Sequence, residues 1–420
     1  MILVALGILI LALIGTPIFV IMGLVSLVAF TNAGIEISAI GIEVYKIASA
    51  PTLLTIPLFT FAGYLMAESG TPKRLFRLAD SALGWMPGGV AIVALVVCAF
   101  FTAFTGASGV TIVALGGLLY PILIEEKYTS KFSLGLITTS GSLGLLFPPS
   151  LPIILYGLVA KVDIDTLFKA GIVPGILLII ILSAWSIKNG VKKAKADRKV
   201  FSGAEFRAAL KGALWEVLLP IGVLVGIYGG YTTVSEAAAL TAFYVLIIEC
   251  FVYKDLNFFK DVPNIIYDSM ALVGAILLIL CCAMGVTNFL VDEEIPMQIL
   301  DWMRTFLTNK YSFLLFLNIF LLIVGTMMDI FSAIIVVVPL ITPIAAEFGV
   351  HPVHLAIIFL TNLEIGYITP PVGLNLFISS FRFKKPITEL YRASFPFLLL
   401  LVFALILITY IPAISLIWIK

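Results

Sequence analysis

Small polar residues gather around chain breakers at four places. They are Phe104-Thr105-Gly106-Ala107-Ser108-Gly109, the stretch Thr138-Thr139-Ser140-Gly141-Ser142 leading to Pro148-Pro149-Ser150, Gly325-Thr326-Met327-Met328-Asp329, and Thr361-Asn362-Leu363-Glu364-Ile365-Gly366-Tyr367-Ile368-Thr369-Pro370-Pro371. A Pro-Pro pair removes two backbone donors and pushes the preceding residue out of helical geometry. The helix around it must break, and its carbonyls are freed. Carbonyl and hydroxyl oxygens suit a hard cation such as Na⁺, and the positive N-terminal ends of half-helices suit a carboxylate. Asp329 and Glu364 are the acidic residues set deepest in apolar sequence. Each is a functional candidate by its setting, and an acid just before an apolar run also has the form of an N-cap.

The elements that must position these residues are apolar. Of 420 residues, 61% are hydrophobic and 12% charged, and the mean hydropathy is +1.17. A soluble domain is nearer half apolar and a quarter charged. Apolar runs of spanning length recur from end to end, so the chain is an all-α polytopic membrane protein. The start is apolar from Ile2 without a basic flank, which argues against a removable signal peptide. Cys98, Cys250, Cys281 and Cys282 lie in apolar runs without metal or disulfide spacing. His351 and His354 fall in a short connection, outside the expected core. Nothing in the charge pattern suggests nucleic acid.

Two segments, about 88–121 and 312–346, are too long for one span and are interrupted near the middle, which reads as a re-entrant hairpin each. Broken helices are expected at about 132–160 and 352–381. Met1–Phe30 is also long and would bend at Gly15-Thr16-Pro17. The chain repeats itself: Ile112–Pro149 and Ile334–Pro371 share nine identities in 38 ungapped positions, including both Pro-Pro pairs, Gly144/Gly366 and Thr139/Thr361. Pro72 and Pro296 pair at a similar offset. This gives a first repeat over 1–187, a basic linker over 188–211 and a second repeat over 212–420. The linker is placed in the cytoplasm by its lysines and arginines. Lys73, Arg74, Lys127, Lys254, Arg382 and Lys385 then also fall inside, while Asp292-Glu293-Glu294 falls outside. That sorting works only if each hairpin enters and leaves by one face, so the repeats are inverted.

At these residues the sequence resembles the large membrane (M) subunit of tripartite ATP-independent periplasmic (TRAP) transporters. The marks are Gly144-x-x-x-Pro148-Pro149-Ser150, Met328-Asp329 followed by Pro339 and Pro343, Gly366-x-x-x-Pro370-Pro371-x-Gly373-x-Asn375, and Thr233-x-Ser235-Glu236-Ala237-Ala238. The family's first tip is Ser-Gly-Ser-Ser-like, so a hydroxyl is lost at Ala107. The resemblance implies a Na⁺-coupled importer of organic acids such as C4-dicarboxylates or sialic acids, in a bacterial inner membrane. Transport and scaffold domains would work as an elevator. It also implies two partners, a four-helix membrane subunit (Q) and a periplasmic substrate-binding protein (P).

The Na⁺ candidates are Thr105, Gly106, Ser108, Ser140, Gly141 and Ser142 at the first tip and break. At the second they are Asp329, Thr361, Asn362, Gly366 and Thr369. Ser108, Ser150 and Asn375 are the substrate candidates, and Pro148, Pro149, Pro370 and Pro371 the helix breakers. Glu236, after a hydroxyl-rich turn, reads as structural. A binding-protein-independent anion symporter of the same repeat architecture is the alternative. An intramembrane enzyme would need a catalytic set, and Asp329 has no acid at its repeat counterpart, Ala107. A channel fits poorly with paired hairpins.

Overall fold

The computed structural model describes residues 16–32, 51–190, 200–305, 307 and 309–419, with 7, 10, 11, 14, 36, 38, 41, 42 and 45. Most of the first arm of the expected N-terminal helix pair and the middle of the basic linker lie outside them. The described residues with regular structure are all helical. Among the described residues seven helices are long and apolar enough to cross a membrane, or up to nine if each of two bent pairs counts as one span.

The first half comprises α1 (Ile18–Asn32), α2 (Thr55–Glu68), α3 (Thr71–Leu83), α4 (Gly89–Thr105), α5 (Ser108–Glu125), α6 (Ser130–Ser140), α7 (Leu151–Ala160) and α8 (Ile164–Gly190). A short α9 (Gly203–Gly212) turns what composition marks as linker into helix, bent by 69° from α10 (Leu214–Tyr228). The second half continues with α11 (Val234–Ile247), α12 (Asp261–Asp292), α13 (Ile295–Arg304), α14 (Lys310–Met327), α15 (Ile330–Glu347), α16 (Pro352–Gly366), α17 (Leu374–Phe383), α18 (Ile387–Tyr410) and the single turn α19 (Ala413–Leu416). α5 and α15 span the same register, 222 residues apart, and the helices around them repeat in the same order.

Local chemistry sets these boundaries. Proline stands at the first or second position of α3, α7, α13 and α16, where its missing N–H costs nothing. Thr233 and Glu236 form a capping box at the start of α11, with Thr233 N donating to Glu236 at 2.7 Å. Glu236 is therefore structural, as its position suggests. Amphipathic α3 and α13 precede the two hairpins, and the hairpins α4–α5 and α14–α15 turn over two residues each, 106–107 and 328–329.

The repeats pack reciprocally. The second half of each broken helix lies against the second arm of the other repeat's hairpin, α7 on α15 and α17 on α5. The following helices cross over too, α8 against α16 and α18 against α6. A second group, α1, α2, α10, α11 and α12, packs chiefly within itself and meets the first through α2 on α4 and α12 on α15. α3 is tied to this second group: Arg74 reaches Glu216, Glu249 at 2.9 Å and Asp255 at 2.5 Å, with the Tyr253 ring 3.7 Å away. On α13, Arg304 makes exposed pairs with Glu347, at 3.1 Å, and with Asp301, at 3.9 Å.

Candidate functional site

The first break is built by a stop and a collision. α6 ends at Ser140, Gly141 follows in a turn, Leu143–Leu146 form one 3₁₀ turn, and the Pro148–Pro149 peptide is cis. The two arms of this broken span bend by 45°. Gly144 presses on α4, where any side chain would strike the Ala99 carbonyl and the Ala103 amide. The first tip comes to the same place. Gly106 holds the left-handed turn that ends α4 (φ +62°), and a Cβ there would lie 2.5 Å from Leu151 at the start of α7. Only glycine meets both demands.

Around this contact the groups are oxygens. The Thr102 hydroxyl donates to the Gly141 carbonyl at 2.8 Å, and Thr102 and Thr111 hydroxyls meet at 2.7 Å. Thr105 Oγ1 lies 3.5 Å from Thr111 Oγ1, and Ser108 opens α5. All of these side chains are buried. Thr102 and Thr111 were not apparent from the tip motif. They lie in the arms, four residues before Gly106 and four after Ala107, and that mirrored spacing is the signal that marks them. Ser140 and Ser142 hydroxyls donate to Ile137 and Thr139 carbonyls, and Ser150 donates to the Leu145 carbonyl at 2.5 Å. A hydroxyl that spends its proton on its own helix still has lone pairs for a cation.

The second break shares the plan but differs in detail. Gly366 backs onto Gly325 so closely that a Cβ on Gly366 would collide with the α14 backbone. The unwound segment folds over the tip: Gly373 N donates to the Thr326 carbonyl at 3.2 Å, and Asn375 N to the Tyr367 carbonyl at 3.0 Å. The Pro370–Pro371 peptide is again cis. Asp329 sits at the tip and caps α15, accepting from the Phe331 and Ser332 amides at 3.0 Å each and from the Ser332 hydroxyl. Ile330 N donates to the Tyr367 hydroxyl at 2.7 Å. The carboxylate is thus already engaged by its own helix. Thr361 and Thr369 donate back to Ile357 and Ile365 carbonyls.

Asn362 belongs to a different cluster. Its amide donates to Asn318 Oδ1 at 2.7 Å and to the Ile358 carbonyl, and Asn318 donates to Thr409 Oγ1 at 3.1 Å. His354 Nε2 lies 3.2 Å from the Thr409 carbonyl. This corrects one expectation: His354 is 1% exposed and lies in the core, because it falls in the first turn of α16 on the face that meets Thr409 of α18. Only His351, the N-cap, stays at the surface. Both oxygens of buried Glu364 and the Oδ1 atoms of Asn362 and Asn375 have no hydrogen-bond partner.

Asn375 joins the two breaks. Its Nδ2 donates to the Thr138 carbonyl at 3.2 Å, and Thr138 Oγ1 donates to Ser379 at 2.9 Å. Next to it, a Cβ on Gly109 would lie 2.7 Å from Ile378. The first tip thus meets the start of α7 through Gly106 and Leu151, and the start of α5 meets α17 through Gly109 and Ile378. The N-termini of α5, α7 and α17 have no side-chain cap, whereas Asp329 caps α15. Unsatisfied amides at such ends attract anions. An oxygen-only cluster beside the uncapped ends of α5 and α7 fits a hard monovalent cation next to an organic anion. Among the described residues no three His, Cys, Asp or Glu side chains gather as a metal site.

Comparison with known proteins places this arrangement. The chain resembles in fold the YdaH transporter of Alcanivorax borkumensis, known from a crystal structure, with a TM-score of 0.62 over 88% of this chain and 86% of that one at 14% identity. It is 37% identical over 382 residues to the C4-dicarboxylate TRAP transporter large permease protein DctM of Pseudomonas aeruginosa, covering 91% of this chain and 89% of that one. With the DctM protein of Rhodobacter capsulatus it shares 34% over 418 residues, 96% and 94% of the two chains. It matches the isethionate TRAP transporter permease protein DctMQ of Oleidesulfovibrio alaskensis at 36% over 406 residues, 96% of this chain but 63% of that longer one. Residues 4–414 match the family described as "Tripartite ATP-independent periplasmic transporter, DctM component". The chain belongs to that family: it is a TRAP transporter large permease subunit, a transport protein and not an enzyme.

Proposed function

We propose that this subunit imports a small organic acid across a bacterial inner membrane in symport with Na⁺. The observation that carries the proposal is the first site. Thr102, Thr105, Thr111 and the Gly141 carbonyl converge without a charged side chain among them, directly beside the uncapped ends of α5 and α7. The oxygens would hold Na⁺, and the helix ends would hold the carboxylate next to it. Ser108, Ser150 and Asn375 would contact the substrate. The second break around Gly366 and Thr369 would hold a further Na⁺, with Asp329 fixing the shape of the adjoining tip.

A C4-dicarboxylate is the favoured substrate class, because the DctM relatives named for it match over nearly their whole lengths. The mutually packed hairpins and broken helices would move as one body against the group formed by α1, α2 and α10–α12, which is the elevator reading. The repeats would run over 1–187 and 212–420 with opposite orientation, the basic linker 188–211 being cytoplasmic. A small membrane subunit and a periplasmic binding protein would complete the system.

The test is uptake of labelled succinate by proteoliposomes holding both membrane subunits, with the binding protein outside. Uptake should rise with an inward Na⁺ gradient and vanish in choline. Equal uptake in both media overturns the coupling.

A further inference from the structure

Helix α5 carries adjacent glycines, Gly116 and Gly117, in its interior. Glycine weakens a helix interior, so a pair there is explained best by something that needs the space. Two side chains from the end of α17 use it. A Cβ on Gly116 would lie 2.9 Å from the Phe383 ring, and one on Gly117 would strike Nη2 of Arg382. The Arg382 guanidinium is thus laid against α5, eight residues before that helix ends at Glu125. At 1.5 Å per residue this is about 12 Å from the helix end, well inside the candidate span Ser108–Glu125.

No acid of the described residues accompanies it. The nearest in sequence, Glu389, pairs with Lys385 at 3.4 Å. Among the described residues the Arg382 side chain has no hydrogen-bond or ion-pair partner. Beside it, Val113, Phe377, Ile378 and Phe381 line a groove of about 390 Å³ in which Arg382 is the one charged member. Val113, Phe377 and Phe381 are exposed, Phe381 by 86%. An unpaired cation facing acyl chains is unfavourable, and it favours any anion that can reach it there. A soluble anion would have to leave water for walls that offer it no second donor. A phospholipid is already in the membrane, and it brings an anionic head and an apolar chain together.

We infer that this groove binds an anionic phospholipid, with the phosphate on Arg382 and an acyl chain along Phe377 and Phe381. A guanidinium can take a phosphate through two parallel N–H bonds, and basic pockets between membrane helices recur as headgroup sites. Lys384, two residues on, adds to the positive field. The lipid would bridge α5 of the first hairpin and α17 of the second broken helix, so its binding should also stabilise the fold. The inference is independent of the coupling ion and of the transported acid.

The test uses the full chain in a mild detergent, supplied with phosphatidylglycerol or phosphatidylcholine. Native mass spectrometry should show phosphatidylglycerol retained in preference, and the unfolding temperature should rise with that lipid alone. Arg382→Gln should weaken its retention about fivefold, the usual share of one basic residue, and remove the rise. Val113→Trp, which fills the groove and leaves the charge in place, should lose the lipid as well. Both variants should unfold like the parent in phosphatidylcholine. Retention of phosphatidylglycerol at the parent level by either variant overturns the assignment, as does equal retention of the two lipids by the parent. A parent stabilised as much by inorganic phosphate or succinate as by phosphatidylglycerol also overturns it, since the site would then serve a soluble anion.

Discussion

The two breaks share a plan but not an environment. At the first, every residue from Gly141 to Ser150 is buried except Phe147. Helix α2 presses on the adjoining tip: a Cβ on Gly63 would lie 2.6 Å from the Phe104 carbonyl. At the second, Pro370, Pro371 and Val372 are exposed, and the Pro371 carbonyl meets the hydroxyl of Tyr391 near the start of α18. One break is therefore sealed against the neighbouring helices while its counterpart opens outward. A transporter built from two like halves needs that inequality, since a site reachable through both at once would be a leak. The tips differ as well. An acid closes the N-terminus of α15, and nothing closes that of α5.

The largest expected effect comes from the glycines that let each break touch its hairpin. Gly144→Ala drives a methyl group into two backbone atoms of α4 and should cost about 3 kcal/mol of stability. Gly366→Ala approaches the Gly325 backbone slightly less closely, 2.4 Å against 2.2 Å, and should cost less, about 1–2 kcal/mol. Thermal unfolding of the purified variants checks the order; a larger loss at 366 breaks the view of the first break as the more tightly held. Accessibility comes next. Val372→Cys should react with a membrane-impermeant maleimide roughly tenfold or more faster than Leu146→Cys, which reacts only through local opening. Equal rates would mean that both breaks open alike in solution.

The tips supply an exchange. Asp329→Ala leaves the first amides of α15 without an acceptor and should cost about 1–2 kcal/mol. Ala107→Asp should instead gain up to about 1 kcal/mol by capping α5 while abolishing succinate uptake, because a fixed carboxylate would take the substrate's place. Full uptake by Ala107→Asp would remove the α5 terminus from the anion site. The smallest effect separates the two ion positions. Thr111→Val and Thr369→Val should each raise the Na⁺ concentration for half-maximal uptake by about fivefold, the equivalent of one hydrogen bond of about 1 kcal/mol. An effect at only one of the two would make that position the one that senses Na⁺.

Much of this was legible in the sequence for a simple reason. Pro148-Pro149 and Pro370-Pro371 cannot continue a helix, and Gly106 and Asp329 end or start one, so breaks and tips announce themselves by residue type. Reading Asp329 as an N-cap also needed only its place before an apolar run. What stayed hidden depends on which face of a helix meets which neighbour. Asn318 is a single amide in an unbroken apolar arm, and only the crossing of α14, α16 and α18 joins it to Asn362 and Thr409. His354 looked like a connection residue because sequence does not show which face of the first turn of α16 meets α18. The unequal sealing of the two breaks lies in α2 and α18, which carry no motif at all.

The crossed packing of α7 on α15 and α17 on α5 also governs how the chain is made. The first hairpin leaves the ribosome with its buried hydroxyls and its second arm lacking their cover, since α17 is translated roughly 250 residues after α5. At ~5–20 residues per second that is about 10–50 s of waiting in the bilayer. Neither half can reach its final form alone, so truncation anywhere before α17 should leave an unfinished protein for quality control rather than half a transporter.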